Sequence, residues 1–324
     1  MIVRRTLVTA LVTLAFAGGA VPALAQSYPS RVIKLVVPFT PGSPNDVVAR
    51  VLAPPLSVRL GQPVIIENRP GGSTTIGVKS VLAGDRDGYT LLAMSSPTLF
   101  LGSLVNEAVT FDPLKELVPI STVGSTALVM VLTPDLPVTS VKQLVTHANA
   151  NPGTVNICYG RGTRTNLSSE LFKVVTGANI ASIPYRGGAQ VVTDILGGRV
   201  QINLGSPATL LPLIGDGRLR AVAVTSPVRM PDLPEVPTMI ESGYPDVIGT
   251  NHWAVLGPAG IPEAIVGKLN REINEILKTA EFQLSLRKIG AEPMGGSPQD
   301  FARLIADEYK VWAPIVKATG FKLE

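Results

Sequence analysis

The chain has 324 residues, 45% of them hydrophobic and only 16% charged, which is enough for about two packed domains and excludes a disordered polyelectrolyte. Lys and Arg number 28 against 24 Asp and Glu, with few aromatic residues and no basic block, so no nucleic-acid partner is expected. With two histidines and one cysteine there is no material for a His/Cys metal centre or an internal disulfide, and neither metal nor cofactor is expected.

Arg4 and Arg5 lead into an apolar stretch over residues 7–20 and then Ala23-Leu24-Ala25. That order reads as a cleavable secretory signal over residues 1–25, with Gln26 as the first mature residue. The apolar stretch falls short of the ~20 residues a spanning helix needs, and Gly18, Gly19 and Pro22 interrupt it. Loss of Arg4 and Arg5 leaves 26 basic residues against 24 acidic ones, close to neutral. The mature protein is expected to be exported and soluble.

Residues 32–38 are a β-branched run and read as a buried strand. It runs out through Val36-Val37-Pro38-Phe39-Thr40-Pro41-Gly42-Ser43-Pro44-Asn45-Asp46 into a helical pattern at 46–60. There Val47, Val48, Val51, Leu52 and Leu56 share one face, and Pro54 and Pro55 predict a kink or split. Strands follow at 64–67 and 90–94, with a helix at 72–83 between them. After a strand at 127–132 and a helix at 141–150, residues 155–159 form another strand. It passes through Asn156-Ile157-Cys158-Tyr159-Gly160-Arg161-Gly162-Thr163-Arg164-Thr165-Asn166 into a helix at 167–176. The two loops are alike. Each carries small residues from a strand to a helix start, where free backbone N–H groups and the helix dipole favour an anion.

Short strands at 183–184, 202–204, 221–225 and 252–256 continue the pattern, and helices at 262–279 and 299–319 close it. The alternation implies an α/β fold with mainly parallel sheets flanked by helices. No single linker divides the chain. Crossings between lobes are expected near 121–127 and 246–251. These give a discontinuous first lobe of 26–124 and 249–324 around an inserted second lobe of 125–248.

Enzyme motifs are absent: the chain has no HExxH, no phosphate-binding Walker loop and no GxSxG elbow. Cys158, in an apolar run, reads as a small buried filler rather than a nucleophile. His147 reads as solvent-facing and His252 as packed structure rather than a catalytic base. A secreted hydrolase or lyase with a scattered polar site is the alternative to a binding protein, but no nucleophile–base pair supports it.

Several motifs together resemble a known family. Val37-Pro38-Phe39-x-Pro41-Gly42-x-x-x-Asp46 is followed by Leu60-Gly61-Gln62-Pro63-Val64 and Glu67-Asn68-Arg69-Pro70-Gly71. Asp87-Gly88-Tyr89-Thr90-Leu91-Leu92, Tyr185-x-Gly187-Gly188-Ala189 and Asp194-x-Leu196-Gly197-Gly198 come next. Trp253, Gly257-Pro258-Ala259-Gly260-x-Pro262 and Glu308-x-x-x-Trp312 complete the set. The order is similar to that of the Bug family, the extracytoplasmic solute receptors of tripartite tricarboxylate transporters.

The resemblance implies a two-lobed periplasmic binding protein of the Venus flytrap type. Such a receptor is not an enzyme; it is a monomer that closes on a small organic acid and docks transiently on membrane transporter subunits. A sensor feeding a signalling partner is the related alternative. Carried over by position, the first loop supplies Phe39, Thr40, Gly42, Ser43, Asn45 and Asp46, and the second supplies Gly160, Gly162, Thr163 and Asn166. Arg161, Arg164, Tyr185, Gly188 and Ala189 join them as ligand-binding candidates, one of the arginines for the distal end of an anion, the alternative being that both face solvent at the cleft rim. Asp46 is expected to cap the helix start rather than meet the anion, because like charges repel. The chain departs from the family at Gly42-Ser43-Pro44, at Asn166 in place of a frequent histidine, at Arg161 and Arg164, and at Leu204-Gly205-Ser206.

Overall fold

The computed structural model describes residues 28–72, 74–105, 109–160, 163–185, 188–247 and 249–319. The expected signal segment 1–25 and Gln26 lie outside them, as do Arg161, Gly162 and Gly187. No helix among the described residues is long and apolar enough to cross a membrane.

The chain folds into two sheets flanked by helices. The first sheet contains β1 (Ile33–Val37), β2 (Val64–Asn68), β3 (Thr90–Ser95), β4 (Leu117–Ala127), β10 (Thr250–Pro258) and β11 (Glu292–Pro293), in the order β11-β4-β10-β3-β1-β2. The second contains β5 (Val129–Leu132), β6 (Asn156–Gly160), β7 (Ala181–Tyr185), β8 (Ile202–Gly205) and β9 (Arg220–Val224), in the order β7-β6-β8-β5-β9. The helices are α1 (Pro44–Leu60), α2 (Thr75–Leu82), α3 (Ser96–Val105), α4 (Pro113–Glu116), α5 (Val141–Ala150), α6 (Arg164–Thr176), α7 (Gly188–Leu196), α8 (Pro207–Gly215), α9 (Glu263–Leu277), α10 (Ala280–Arg287) and α11 (Pro298–Thr319).

The sheets are mixed rather than mainly parallel. β1 is parallel to β2 and β3, and β6 to β7 and β8. The strands that carry the chain between sheets run antiparallel: β4 with β10, and β5 with β8 and β9. β4 and β5 are consecutive, so a strand leaving one sheet enters the other with no crossover helix to reset its direction. β4 extends to Ala127, which pairs with Thr250, so residues 121–127 belong to a ladder. The change of sheet occurs at Leu128, and the return occupies residues 225–249. Thr225 ties the two passages together. Its Oγ1 accepts from the Leu128 N–H at 2.9 Å and donates to the Gly249 carbonyl.

Each sheet has an apolar layer on both faces. One face of the first sheet packs Leu52 and Leu56 of α1 with Leu269 and Ile273 of α9. The other packs Val36, Leu92 and Phe100 with Phe301, Ile305 and Trp312 of α11, and this cluster also takes in Leu167 and Leu171 of α6. The helix of the second sheet that follows the second loop is thus bound into the core of the first. α1 runs unbroken through Pro54 and Pro55, against the expected split. Pro54 is exposed, so the carbonyl that loses its partner lies on the solvent side, where bending is tolerated.

Candidate functional site

The first loop is a rigid turn. Gly42 has φ 80°, a left-handed conformation open to glycine. Ser43 is the N-cap of α1, its Oγ accepting from the Asp46 N–H at 3.3 Å, and Pro44 takes the first helical turn. Asp46 is not the cap. It reaches back to accept from the Gly42 N–H at 2.8 Å, a reciprocal arrangement like a capping box. It also accepts from Arg50 Nε at 2.9 Å and Asn68 Nδ2 at 2.8 Å, and the Asn68 amide holds the Phe39 carbonyl at 3.1 Å.

Asp46 is 2% exposed. Burial works to raise its pKa, but the bonds from Arg50, Gly42 and Asn68 outweigh that and hold it below the usual carboxylate range. Its lone pairs are committed to the loop. Gly77 of α2 lets the turn sit low, since a Cβ there would fall 2.7 Å from Pro38 Cβ and 2.8 Å from the Arg69 carbonyl. Thr40 and Gly42 are exposed, Phe39 and Ser43 are half-buried, and Phe39 packs against the cluster that holds Leu167 and Trp312. Asn45 is buried. Its Oδ1 has no partner, and it shares a small internal space with Trp253, whose Nε1 is also unpaired.

The second loop leaves β6 at Gly160. Its N-cap, Thr163, makes no side-chain cap to α6. Instead Thr163 Oγ1 donates to the Gly160 carbonyl at 2.6 Å and lies 2.8 Å from Thr165 Oγ1, while the Gly160 N–H donates to Thr165 Oγ1 at 3.2 Å. The side chains fold the loop on itself, and the Thr163 side chain leaves the N-terminus of α6 uncapped, an anion-receptive helix start. Behind it, the buried Asn166 meets the Tyr159 hydroxyl, which donates to Glu170 at 3.3 Å. Ser182 and Lys173 complete that polar layer.

Arg164 opens α6 and is turned inward. It is 7% exposed, with its guanidinium carbon 4.5 Å from the centre of the Trp312 ring. Tyr185 ends β7 and donates to Asp194 Oδ2 at 2.7 Å. Burial and that carboxylate push its phenol up to about 12. Gly188 and Ala189 form the first turn of α7. Helix starts after β1, β6, β7 and β8 thus stand at the C-terminal ends of their strands, the usual place for a ligand in an α/β sheet.

Sequence reading missed three contributors. Asn68 and Arg50 fix Asp46, and Ser96 follows β3 buried with an unpaired hydroxyl. Only spatial proximity shows Asn68, which lies 22 residues from Asp46, whereas Arg50 stands four residues on and could have been found from helical spacing. Cys158 is fully buried and its thiol is pushed up to about 12 by burial, with no activating cation beside it. His252 is buried against Glu308, Nδ1 to Oε1 at 3.0 Å, and His147 is half-buried beside Asn151. No group of three metal-ligating side chains occurs among the described residues.

A family model described as "Tripartite tricarboxylate transporter family receptor" matches residues 48–321. The chain is 40% identical over 313 residues to protein BugT of Bordetella pertussis, covering 96% of each chain. Among solved structures it resembles R. palustris Rpa4515 with adipate, at 35% identity and TM-score 0.78, covering 90% of this chain and 98% of that one. It also resembles the periplasmic binding protein BugD, at 29% identity and TM-score 0.77, covering 91% and 99%.

Proposed function

The chain belongs to the tripartite tricarboxylate transporter receptor family, and from that membership we propose that it captures one small carboxylate between two lobes and passes it to a transporter of that kind. Proteins of this family are periplasmic receptors of small organic acids and not enzymes. The lobes are taken to be the two sheets with their helices. The ligand is taken to lie between residues 39–46 and residues 160–166, with Tyr185, Gly188 and Ala189 beside the second loop.

The observation that carries the reading is the start of α6, which the Thr163 side chain does not cap, the Thr163 and Thr165 hydroxyls being bonded to Gly160 instead. A carboxylate there meets backbone donors and the positive end of a thirteen-residue helix. The first loop offers the Ser43 hydroxyl and exposed backbone, with Asp46 kept out of contact by its three bonds. The ligand touches both lobes only when they approach, so it favours the closed arrangement, and a transporter reads that arrangement. The adipate in Rpa4515 suggests which acids to try first.

Calorimetry with adipate and other short carboxylates, with scattering at saturation, tests the reading. Binding accompanied by compaction is expected. No heat with any carboxylate, or turnover of one, would overturn it.

A further inference from the structure

Arg164 stands one residue beyond Thr163, yet its side chain leaves the loop and enters the seam between α6 and α11. Arg164, Leu167, Ser168 and Leu171 share the face of α6 that meets α11, since they follow helical spacing. Within that seam the guanidinium stacks over Trp312. Its Nε and Nη1 are buried without a hydrogen-bond partner, and so is Ser168 Oγ. The return passage lies alongside: a Cβ placed on Gly249 would fall 3.4 Å from Arg164 Nε and 2.9 Å from Ser168 Oγ.

One helical turn before Trp312, on the same face of α11, is Glu308. Its Oε1 meets His252 on β10, and its Oε2 is buried and unpaired. Burial pushes the Arg164 guanidinium down to about 10, while the Glu308 carboxylate works to keep it charged. A lone buried cation is costly, and Glu308, one turn from the Trp312 that Arg164 covers, is the carboxylate placed to offset it.

We propose that Arg164 is a positioning residue, which with Glu308 ties the start of α6 to the C-terminal helix and so sets the pose of the second loop for anion capture. It does not touch the ligand. The tie crosses between sheets: Arg164 follows β6 of the second, while Glu308 and His252 belong to elements packed in the first. Movement of one layer over the other disturbs the stack of Arg164 on Trp312. The inference rests on the carboxylate reading for its link to binding, but the tie itself stands on the seam geometry.

The test uses the full mature chain with Arg164→Gln, Glu308→Gln, their combination and Arg164→Lys. Unfolding midpoints without ligand form a double-mutant cycle. The double variant is expected to lose less than the two singles together. Calorimetry with adipate and with its monoacid counterpart hexanoate then reads the loop. Arg164→Gln should weaken both by the same factor, roughly 3- to 30-fold, and Arg164→Lys should recover part of it.

Additive midpoints would overturn the tie. Loss of adipate binding with hexanoate binding intact would overturn the positioning role in favour of direct contact with a second carboxylate. Unchanged affinities at a lowered midpoint would reduce the residue to packing. Should Arg164→Gln fail to fold, the cycle is run with Arg164→Met, which removes the charge and keeps an apolar stem over Trp312, under the same criteria. If the native protein binds neither acid, the carboxylate reading fails, and the unfolding cycle still decides the tie.

Discussion

Replacing Asp46 by Asn tests whether the first loop is held by charge or by shape. The substitution keeps the size of the side chain but removes its charge and turns one acceptor into a donor. Three donors converge on the native carboxylate, from Gly42 at 2.8 Å, Arg50 at 2.9 Å and Asn68 at 2.8 Å, at a site 2% exposed. Hydrogen bonds to a charged group contribute about 1.5–3 kcal/mol each. Arg50 is half-exposed and contributes least. One bond is lost outright and the others weaken, giving a destabilisation of about 2–4 kcal/mol and a melting temperature lower by about 3–7 °C. The folded pKa of Asp46 lies below its unfolded value, so its contribution is complete above the unfolded pKa of ~3.9 and is lost as pH falls through the folded one. Calorimetric melts from neutral pH down to acid should show a steady gap between native and variant that closes only at the acid end. Superimposed melts at neutral pH, or a gap unchanged by acid, would refute the argument.

Three further outcomes are expected. Thr225→Val strands the Leu128 N–H and the Gly249 carbonyl and should cost about 1–3 kcal/mol in urea unfolding; an unchanged midpoint would remove Thr225 as the tie between the passages. Cys158 should resist a thiol reagent in the native protein and react fully after denaturation, because its thiol is buried and pushed up to about 12; prompt native reaction would contradict its placement. N-terminal sequencing of periplasmic material should read from Gln26, whereas an intact N-terminus held in the membrane would refute a cleaved signal.

Much of the frame was readable from local pattern. β1, β5 and β8 are short apolar runs, and α5 follows its periodicity from end to end. The loops announced themselves because a strand, a glycine turn and a helix start are contiguous. The parts not read depend on distant residues. α3, running from Ser96, was hidden because the helix follows β3 with no intervening turn signal. The ladder role of residues 121–127 depends on β10, more than a hundred residues away. Asp46 looked like a helix cap because one of its partners, Asn68, comes from elsewhere in the chain. The stacking of Arg164 on Trp312 could not be read either, because Trp312 lies at the far end of the sequence.

The chain contains only two tryptophans, and each lies directly behind one of the two loops. Trp253 shares an internal space with Asn45 at the end of the first, and Trp312 lies under Arg164 at the end of the second. The molecule therefore carries a separate optical reporter for each half of the proposed site. With Trp253→Phe, the remaining emission comes from Trp312 beneath a guanidinium, and with Trp312→Phe it comes from an indole whose N–H is unpaired. Rapid-mixing fluorescence on the two single-tryptophan proteins would time each loop independently, without an attached dye, and would reveal which responds first when a solute arrives.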